Sequence, residues 1–201
     1  MTDEKIVYMC FSTDMIHSGH IEIIRKAEKL GKLIIGVMSD EAVASYKRFP
    51  LLPFEERKIM FENIVGVSSV VEQKTLSYKA ILEELKPDIV VHGDDWKEGF
   101  QKHLRDEVCQ ILATYGGQLV EYPYSKNEKY DEIERRARSE ASLPDVRRSR
   151  LKRMLSVKGL ITAMEAHDGI TGLICEKTVE SDNGGAHQFD AIWSSSLCDS
   201  T

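Results

Sequence analysis

The segment KIVYMCFSTDMIHSGHIEIIRKAEKLGKLIIGVMSD, residues 5–40, holds two apolar runs with an amphipathic stretch between them. The runs at 6–12 and 33–39 have the near-continuous hydrophobicity of strands that are buried on both faces of a sheet. The stretch at 21–30 has apolar residues at helical spacing. The segment therefore predicts a strand–helix–strand unit, and such units join parallel strands.

The same alternation continues to residue 124. Further strands are predicted at 68–72, 89–92 and 118–122, and further helices at 54–64, 78–85 and 102–115. Strands that alternate with helix-length segments indicate a parallel sheet covered by helices on both faces. Right-handed crossovers make such a sheet doubly wound. We therefore predict an α/β, Rossmann-like domain at residues 1–124.

The composition restricts the classes of partner. The chain has 201 residues, of which 42% are hydrophobic and 30% are charged, with a formal net charge of −6. This charge argues against broad nucleic-acid or membrane binding. The chain starts with the acidic MTDEK, and no apolar run is long enough to span a bilayer. With four scattered cysteines that we interpret as reduced thiols, these features predict a cytoplasmic protein with no nucleic-acid or membrane partner.

Two histidines bracket the turn between the first strand and the first helix. A helix start leaves unpaired backbone N–H groups, which form a ready anion site. His17 and His20 can direct two imidazoles at the same anion, and Gly19 lets the backbone approach closely. H-x-G-H is a short motif, and the alternative is that one histidine caps or packs while the other is incidental. The position directly after the first strand favours the anion site.

Other polar residues also follow predicted strands. Asp40 and Lys47 come after the second strand, and the VHGDDW segment places residues 93–96 after a buried one. In open parallel sheets, ligands bind at the carboxyl ends of the strands. The alternatives are an ordinary surface lysine and a turn with a packing tryptophan. Because all of these residues fall at the same edge of the sheet, we predict one binding site.

FSTDMIHSGH resembles the H-x-G-H signature of the cytidylyltransferase-like nucleotidyltransferases. It is close to that of the glycerol-3-phosphate cytidylyltransferases, and it resembles even more the nucleotidyltransferase domains fused to phosphoenolpyruvate mutase. The resemblance covers about residues 5–124. It implies that His17 and His20 bind the nucleoside triphosphate and stabilise charge on its α-phosphate, with Lys47 on the phosphates. It further implies the following nucleotide-binding residues: Ser12, Thr13, Asp14, Gly19, Arg57, Gly93, Asp94, Asp95 and Trp96.

The resemblance also implies a reaction. CMP is transferred from CTP to a phosphonate or phosphate acceptor, and pyrophosphate is released. The acceptor oxygen is already anionic, so no general base is required, and Mg²⁺ bridges the triphosphate. Relatives are often dimers, which implies a homodimer. An adenylyltransferase that uses ATP stays open, because H-x-G-H does not select the base.

One family motif is replaced. Family members open the last helix with a Gly-Ile-Ser-Ser/Thr-Thr stretch that holds the triphosphate, but here residues 127–131 read NEKYD. Glu128 and Asp131 oppose a polyphosphate at a helix start. The replacement predicts impaired turnover and favours an alternative, a non-catalytic nucleotide-binding or assembly domain.

Residues 125–146 are highly charged and predict a solvated helix or linker. Residues 147–201 resemble the opening of phosphoenolpyruvate mutase, a (β/α)-barrel family, through EAHDGITG and IWSSSL. Trp193, Ser195 and Leu197 match substrate positions of that family. A whole barrel takes roughly 200 residues or more, so we predict an incomplete barrel without mutase activity. Fusion of the first domain to part of a phosphonate-forming enzyme implies a phosphonate acceptor and a role in phosphonate biosynthesis.

Overall fold

The computed structural model describes residues 4–46, 49–99, 101–123, 130, 132–133, 135–137, 144–182 and 185–194. The strands of the first part are β1 (Ile6–Phe11), β2 (Lys32–Met38), β3 (Val67–Gln73), β4 (Ile89–Gly93) and β5 (Gln118–Tyr122). Its helices are α1 (Ser18–Glu28), α2 (Asp40–Ala44), α3 (Phe54–Glu62), α4 (Lys79–Leu85) and α5 (Lys102–Tyr115), with a 3₁₀ helix at Asp94–Lys97.

The first five strands form one parallel sheet in the order β3-β2-β1-β4-β5. The chain moves outward from β1 to β3 and then returns to add β4 on the other side of β1. This order confirms the predicted α/β, doubly wound, Rossmann-like sheet. Ligands bind where the strand order reverses, outside the carboxyl ends of the strands. The fold therefore places a crevice after β1 and β4, beside His17 and Gly93.

Each face of the sheet has its own apolar core. Val7 packs with Ile24 and Phe61 on one face, and Tyr8 packs with Leu82 and Val108 on the other. Because adjacent strand residues point to opposite faces, β1 is buried on both sides. The near-continuous hydrophobicity of this strand in the sequence has this physical cause.

Gly36 in β2 allows a close contact inside the second core. A Cβ at this position would lie 2.0 Å from Oη of Tyr8. The Tyr8 hydroxyl donates a hydrogen bond of 2.6 Å to Oε1 of Gln73, and both side chains are buried. Glycine therefore gives the tyrosine the space for its hydrogen bond.

The predicted strands and helices of residues 1–124 are confirmed, with two differences. α1 begins at Ser18, whereas the prediction began at residue 21, because His17 caps the helix as described below. α2 was not predicted. It begins after Ser39, whose hydroxyl accepts the N–H of Ala42 at 3.1 Å, and such a side-chain cap stabilises even a short helix.

The second part comprises α6 (Pro144–Lys158), β6 (Ala163–Ala166), α7 (Gly169–Lys177), β7 (Glu180–Asp182), β8 (Gly185–His187) and β9 (Ala191–Ser194). β6 and β9 are parallel, and β7 pairs with β8 in antiparallel fashion. The predicted linker at 125–146 falls mostly outside the described residues, and α6 already begins within it. The barrel fragment remains a prediction. In the described ranges, no helix has the length and apolar character needed to cross a membrane.

Candidate active site

Two imidazoles cap the start of α1. Nδ1 of His17 accepts the backbone N–H of Gly19 at 3.1 Å, and Nδ1 of His20 accepts the N–H of His17 at 3.4 Å. This is the reciprocal arrangement of a capping box, with histidines in place of the usual hydroxyl and carboxylate. The arrangement satisfies two N–H groups that the helix itself leaves unpaired. The capping and anion-site interpretations are thus compatible in this motif.

The caps determine where the imidazole protons lie. A neutral imidazole has one N–H and one acceptor nitrogen. Because each Nδ1 accepts an N–H, both neutral rings hold their proton on Nε2. The rings stack with centroids 3.9 Å apart and an interplanar angle of 26°. Both Nε2–H groups of His17 and His20 therefore lie on the side of the stack away from the cap.

Aromatic side chains hold this pair of rings. Phe11 meets His20 edge-on with centroids 5.5 Å apart, and Tyr130 stacks on His17 at 4.5 Å and 11°. His20 and Tyr130 thus both stack on the ring of His17. The Tyr130 hydroxyl lies 3.5 Å from Oγ of Ser18. Tyr130 belongs to the NEKYD segment that replaces the family motif, and we did not predict it as a site residue.

The histidine pair borders a cavity of about 530 Å³ at the carboxyl ends of β1 and β4. The cavity also reaches Tyr130 and Trp96, so it spans the distance between the first turn and the GDDW segment. Eight of the predicted site residues line it: Ser12, Thr13, His17, Gly19, His20, Gly93, Asp95 and Trp96. These eight residues thus lie around one cavity, whereas Asp40 does not line it, and their binding roles stay predictions.

Trp96 and His92 also line the cavity. Their rings stack with centroids 3.7 Å apart and an interplanar angle of 8°. His92 Nδ1 lies 2.8 Å from the carbonyl oxygen of Gly93, so Nδ1 carries the proton and donates. Burial lowers the pKa of His92. The ring is therefore neutral at neutral pH, with Nε2 as an acceptor.

An ion pair fixes the tryptophan. The indole N–H of Trp96 donates to Oε1 of Glu121 at 2.8 Å, and Arg105 holds both carboxylate oxygens at 2.9 and 3.0 Å. The hydrogen bond from Arg105, supported by Trp96, lowers the pKa of Glu121 to about 2. Sequence reasoning missed Arg105 and Glu121, which lie on separate elements and form no local motif. For His92, the position directly before the GDDW segment was an available signal.

Two predicted residues, Asp14 and Arg57, do not line the cavity. Asp14 is buried, and its carboxylate accepts the N–H groups of Leu51 and Leu52 at 2.9 and 3.1 Å. Arg57 is fully buried and donates to Oδ1 of Asp40 at 2.7 Å. Both side chains thus form hydrogen bonds with the backbone near residue 52, Arg57 through a donation to the Leu52 carbonyl. Their contacts with a nucleotide stay predictions.

The remaining predicted residues either do not line the cavity or are not described by the structure. Asp94, in the 3₁₀ helix, is not among the lining residues. Trp193 is 66% exposed in β9, away from this cavity. Lys47, Ser195 and Leu197 lie outside the described residues.

The cavity presents a carboxylate of the kind that Mg²⁺ binds. In the part of the chain that the structure describes, no group of three or more His, Cys, Asp or Glu side chains could enclose a metal ion. Asp95 lines the cavity with a side chain that is 42% exposed. Mg²⁺ typically takes one or two carboxylates, phosphate oxygens and water, and Asp95 can supply one such oxygen.

A family comparison places the chain in a known group. The profile of the Cytidylyltransferase-like family matches residues 10–133, well over half of the chain. The chain belongs to the cytidylyltransferase-like family. The matched residues of this cytidylyltransferase-like protein include both histidines, the GDDW segment and Tyr130, and they end before α6.

Curated relatives of this cytidylyltransferase-like chain carry several activities in their names. The ethanolamine-phosphate cytidylyltransferase of Arabidopsis thaliana is 35% identical over 95 residues, or 44% of this chain and 23% of its own length. The glycerol-3-phosphate cytidylyltransferase of Staphylococcus aureus is 34% identical over 119 residues, or 58% of this chain and 89% of its own. The FAD synthase of Archaeoglobus fulgidus is 36% identical over 107 residues, or 49% and 76%.

The chain thus spans less than a quarter of the Arabidopsis protein but most of the staphylococcal one. Among solved structures, the lipopolysaccharide core biosynthesis protein of Thermoplasma volcanium superposes with a TM-score of 0.51. That match is 22% identical and covers 62% of this chain and 98% of the other. It supports the fold alone.

Proposed function

We propose that this protein transfers CMP from CTP to a small acceptor that bears a phosphate or a phosphonate, with release of pyrophosphate. The observation that carries this proposal is the pair of stacked imidazoles at the start of α1, with both Nδ1 atoms used in the cap. The two Nε2–H donors and the helix N-terminus provide hydrogen bonds and partial positive charge for phosphate oxygens. Two relatives named for phosphate-bearing acceptors support the reaction class.

In the proposed reaction, an oxygen of the acceptor attacks the α-phosphorus of CTP in line with the bond to the leaving pyrophosphate. The new P–O bond forms as that bond breaks, and the acceptor oxygen needs no base because it is already an anion. Nε2–H groups of His17 and His20 donate to α-phosphate oxygens as charge develops there. Mg²⁺ supplies charge neutralisation of the triphosphate.

The rest of the cavity would hold the nucleotide. The stacked rings of His92 and Trp96 offer an apolar wall for a planar base, and Nε2 of His92 can accept from an exocyclic amine. Ser12, Thr13, Gly19 and Asp95 also line the cavity, and we propose them as contacts for the phosphates and the ribose. We propose Lys47 as a phosphate ligand. It precedes residue 49, where the described chain resumes.

Two observations favour alternatives. The relative named FAD synthase favours transfer of AMP from ATP, which has the same exocyclic amine. The stack of Tyr130 on His17, within the replaced motif, favours a nucleotide-binding domain without turnover.

The parallel β6–α7–β9 unit supports our proposal of domains at 1–124 and 147–201, joined by 125–146, with the second a mutase-like fragment. Fusion of this kind favours a phosphonate acceptor and phosphonate biosynthesis.

Pyrophosphate release tests the proposal. The protein is incubated with Mg²⁺ and either CTP or ATP, together with glycerol 3-phosphate, phosphoethanolamine or 2-aminoethylphosphonate. We expect release with CTP and one of these acceptors, and a loss of about 10²–10³ in kcat for His17→Ala, as for other lost transition-state donors. His103→Ala is the control, because His103 lies on α5 outside the cavity. Release with ATP alone indicates the adenylyltransferase, and tight CTP binding without release indicates the binding domain.

A further inference from the structure

The backbone at residues 49–52, which we call the 49–52 segment, forms hydrogen bonds with the side chains of Asp14 and Arg153. On one side, Asp14 accepts the N–H groups of Leu51 and Leu52. On the other side, the guanidinium of Arg153 donates to three carbonyl oxygens: those of Pro50 at 2.8 Å, Leu51 at 3.0 Å and Leu52 at 3.2 Å. Both polar groups of the Leu51 and Leu52 residues are thereby paired.

Arg153 is itself held in place. Its Nε lies 3.3 Å from Oδ2 of Asp40, and its side chain is only 23% exposed. Its guanidinium lies over the ring of Phe49, 4.7 Å from the centroid. Asp40 also binds the buried Arg57, which donates to the Leu52 carbonyl at 3.2 Å. A planar guanidinium with several N–H donors suits this set of acceptors, and a lysine ammonium does not.

The 49–52 segment connects this contact to the cavity. Asp14 stands between Thr13 and Met15, which both line the cavity, and it precedes His17 by three residues. A shift of the 49–52 segment therefore moves the carboxylate that anchors the turn before α1. The same segment follows Lys47 in the sequence after one intervening residue.

We propose that Arg153 is a positioning residue for nucleotidyl transfer, acting through the 49–52 segment and Asp14. Arg153 lies in α6, beyond the residues 10–133 that match the family. A helix outside the family region therefore provides the hydrogen bonds that hold the 49–52 segment in place. This inference rests on the proposed function. Small displacements of groups that orient a substrate can lower rates strongly.

The test uses Arg153→Ala, Arg153→Lys and, as a matched control, Lys152→Ala, which removes an exposed cation from the adjacent position of α6. Two quantities are measured: amide hydrogen exchange at Leu51 and Leu52, and kcat and KM for CTP. In Arg153→Ala we expect exchange at both amides to be about tenfold faster and kcat/KM to fall about tenfold. Arg153→Lys should be intermediate, and Lys152→Ala should match the wild type.

The inference is overturned if exchange at the two amides is unchanged in Arg153→Ala, or if its kcat/KM stays within about twofold of the Lys152→Ala value. If Arg153→Ala does not fold, as judged by circular dichroism, the same criteria apply to Arg153→Lys. If the wild type releases no pyrophosphate, the proposed function fails by itself. In that case, faster amide exchange together with weaker CTP binding in Arg153→Ala, measured by calorimetry, supports the positioning role of Arg153. Unchanged exchange or unchanged CTP affinity overturns it.

Discussion

The rings of His17 and His20 lie 3.9 Å apart, and each is bound through Nδ1 to a backbone N–H of the same helix start. One pair of side chains thus caps the start of α1, and we propose that the same pair donates to phosphate oxygens. The local fold fixes the tautomer that the proposed chemistry requires, with the proton of each neutral ring on Nε2.

Replacing His17 separates its two roles. His17→Asn keeps a side chain that caps helices well, whereas His17→Ala loses the cap at a cost of about 1 kcal/mol in the free energy of unfolding. Both variants lose the Nε2–H donor, so both should lose about 10²–10³ in kcat. Urea unfolding and pyrophosphate release measure the two effects. An asparagine variant with wild-type turnover would show that His17 only caps the helix.

Tyr130 should hold the ring of His17 in position. Tyr130→Phe keeps the stack at 4.5 Å and removes only the hydroxyl near Ser18, so its turnover should equal that of the wild type. Tyr130→Ala removes the stack, and we expect kcat/KM for CTP to fall about tenfold as the imidazole gains freedom. An alanine variant that is faster than the wild type would instead identify Tyr130 as an obstruction in the triphosphate site.

Glu121 should make stability depend on pH in the acid range. An unfolded glutamate has a pKa of about 4.3, whereas Arg105 and Trp96 lower the pKa of Glu121 to about 2 in the folded protein. Its contribution to stability is therefore complete above the unfolded pKa and is lost as the pH falls through the folded one. The difference in unfolding free energy between the wild type and Glu121→Gln, measured in urea, should shrink as the pH is lowered from 5 to 3. A difference that is constant across this range contradicts the assignment.

Asp40 should be important for stability because it neutralises buried charge. It pairs with Arg57, whose side chain is 0% exposed, and with Arg153. Asp40→Ala leaves buried charge uncompensated, and such losses cost roughly 3–5 kcal/mol. The control is Glu22→Ala, which breaks the exposed pair with Lys26 and should not change the midpoint of thermal unfolding. Equal effects of the two variants would contradict the proposed burial effect.

The sheet and the first turn could be predicted because their signals are local. Strands β1, β2 and β4 are short apolar runs, and His17 and His20 lie within one turn of sequence. The start of α1 was placed three residues late because histidine is not a usual N-cap residue. α2 was missed because its five residues carry too little periodicity to detect.

The support of the site could not be predicted because its partners lie far apart in the chain. Arg105 and Glu121 meet only when α5 packs beside β5, and Arg153 reaches its carbonyls across about a hundred residues. Asp14 matched a family position, but no pattern in the sequence indicated that its carboxylate binds the backbone at Leu51 and Leu52. Such contacts follow from tertiary packing and leave no periodic signal.

The central claim is that His17 and His20 present Nε2–H donors to a nucleoside triphosphate. Long-range ¹H–¹⁵N NMR of the imidazole rings tests it most directly, because it distinguishes the two ring nitrogens. We predict that both rings carry the proton on Nε2 and that both Nε2 resonances shift when CTP and Mg²⁺ are added. Protons on Nδ1, or Nε2 resonances that stay unchanged in excess nucleotide, would contradict the claim.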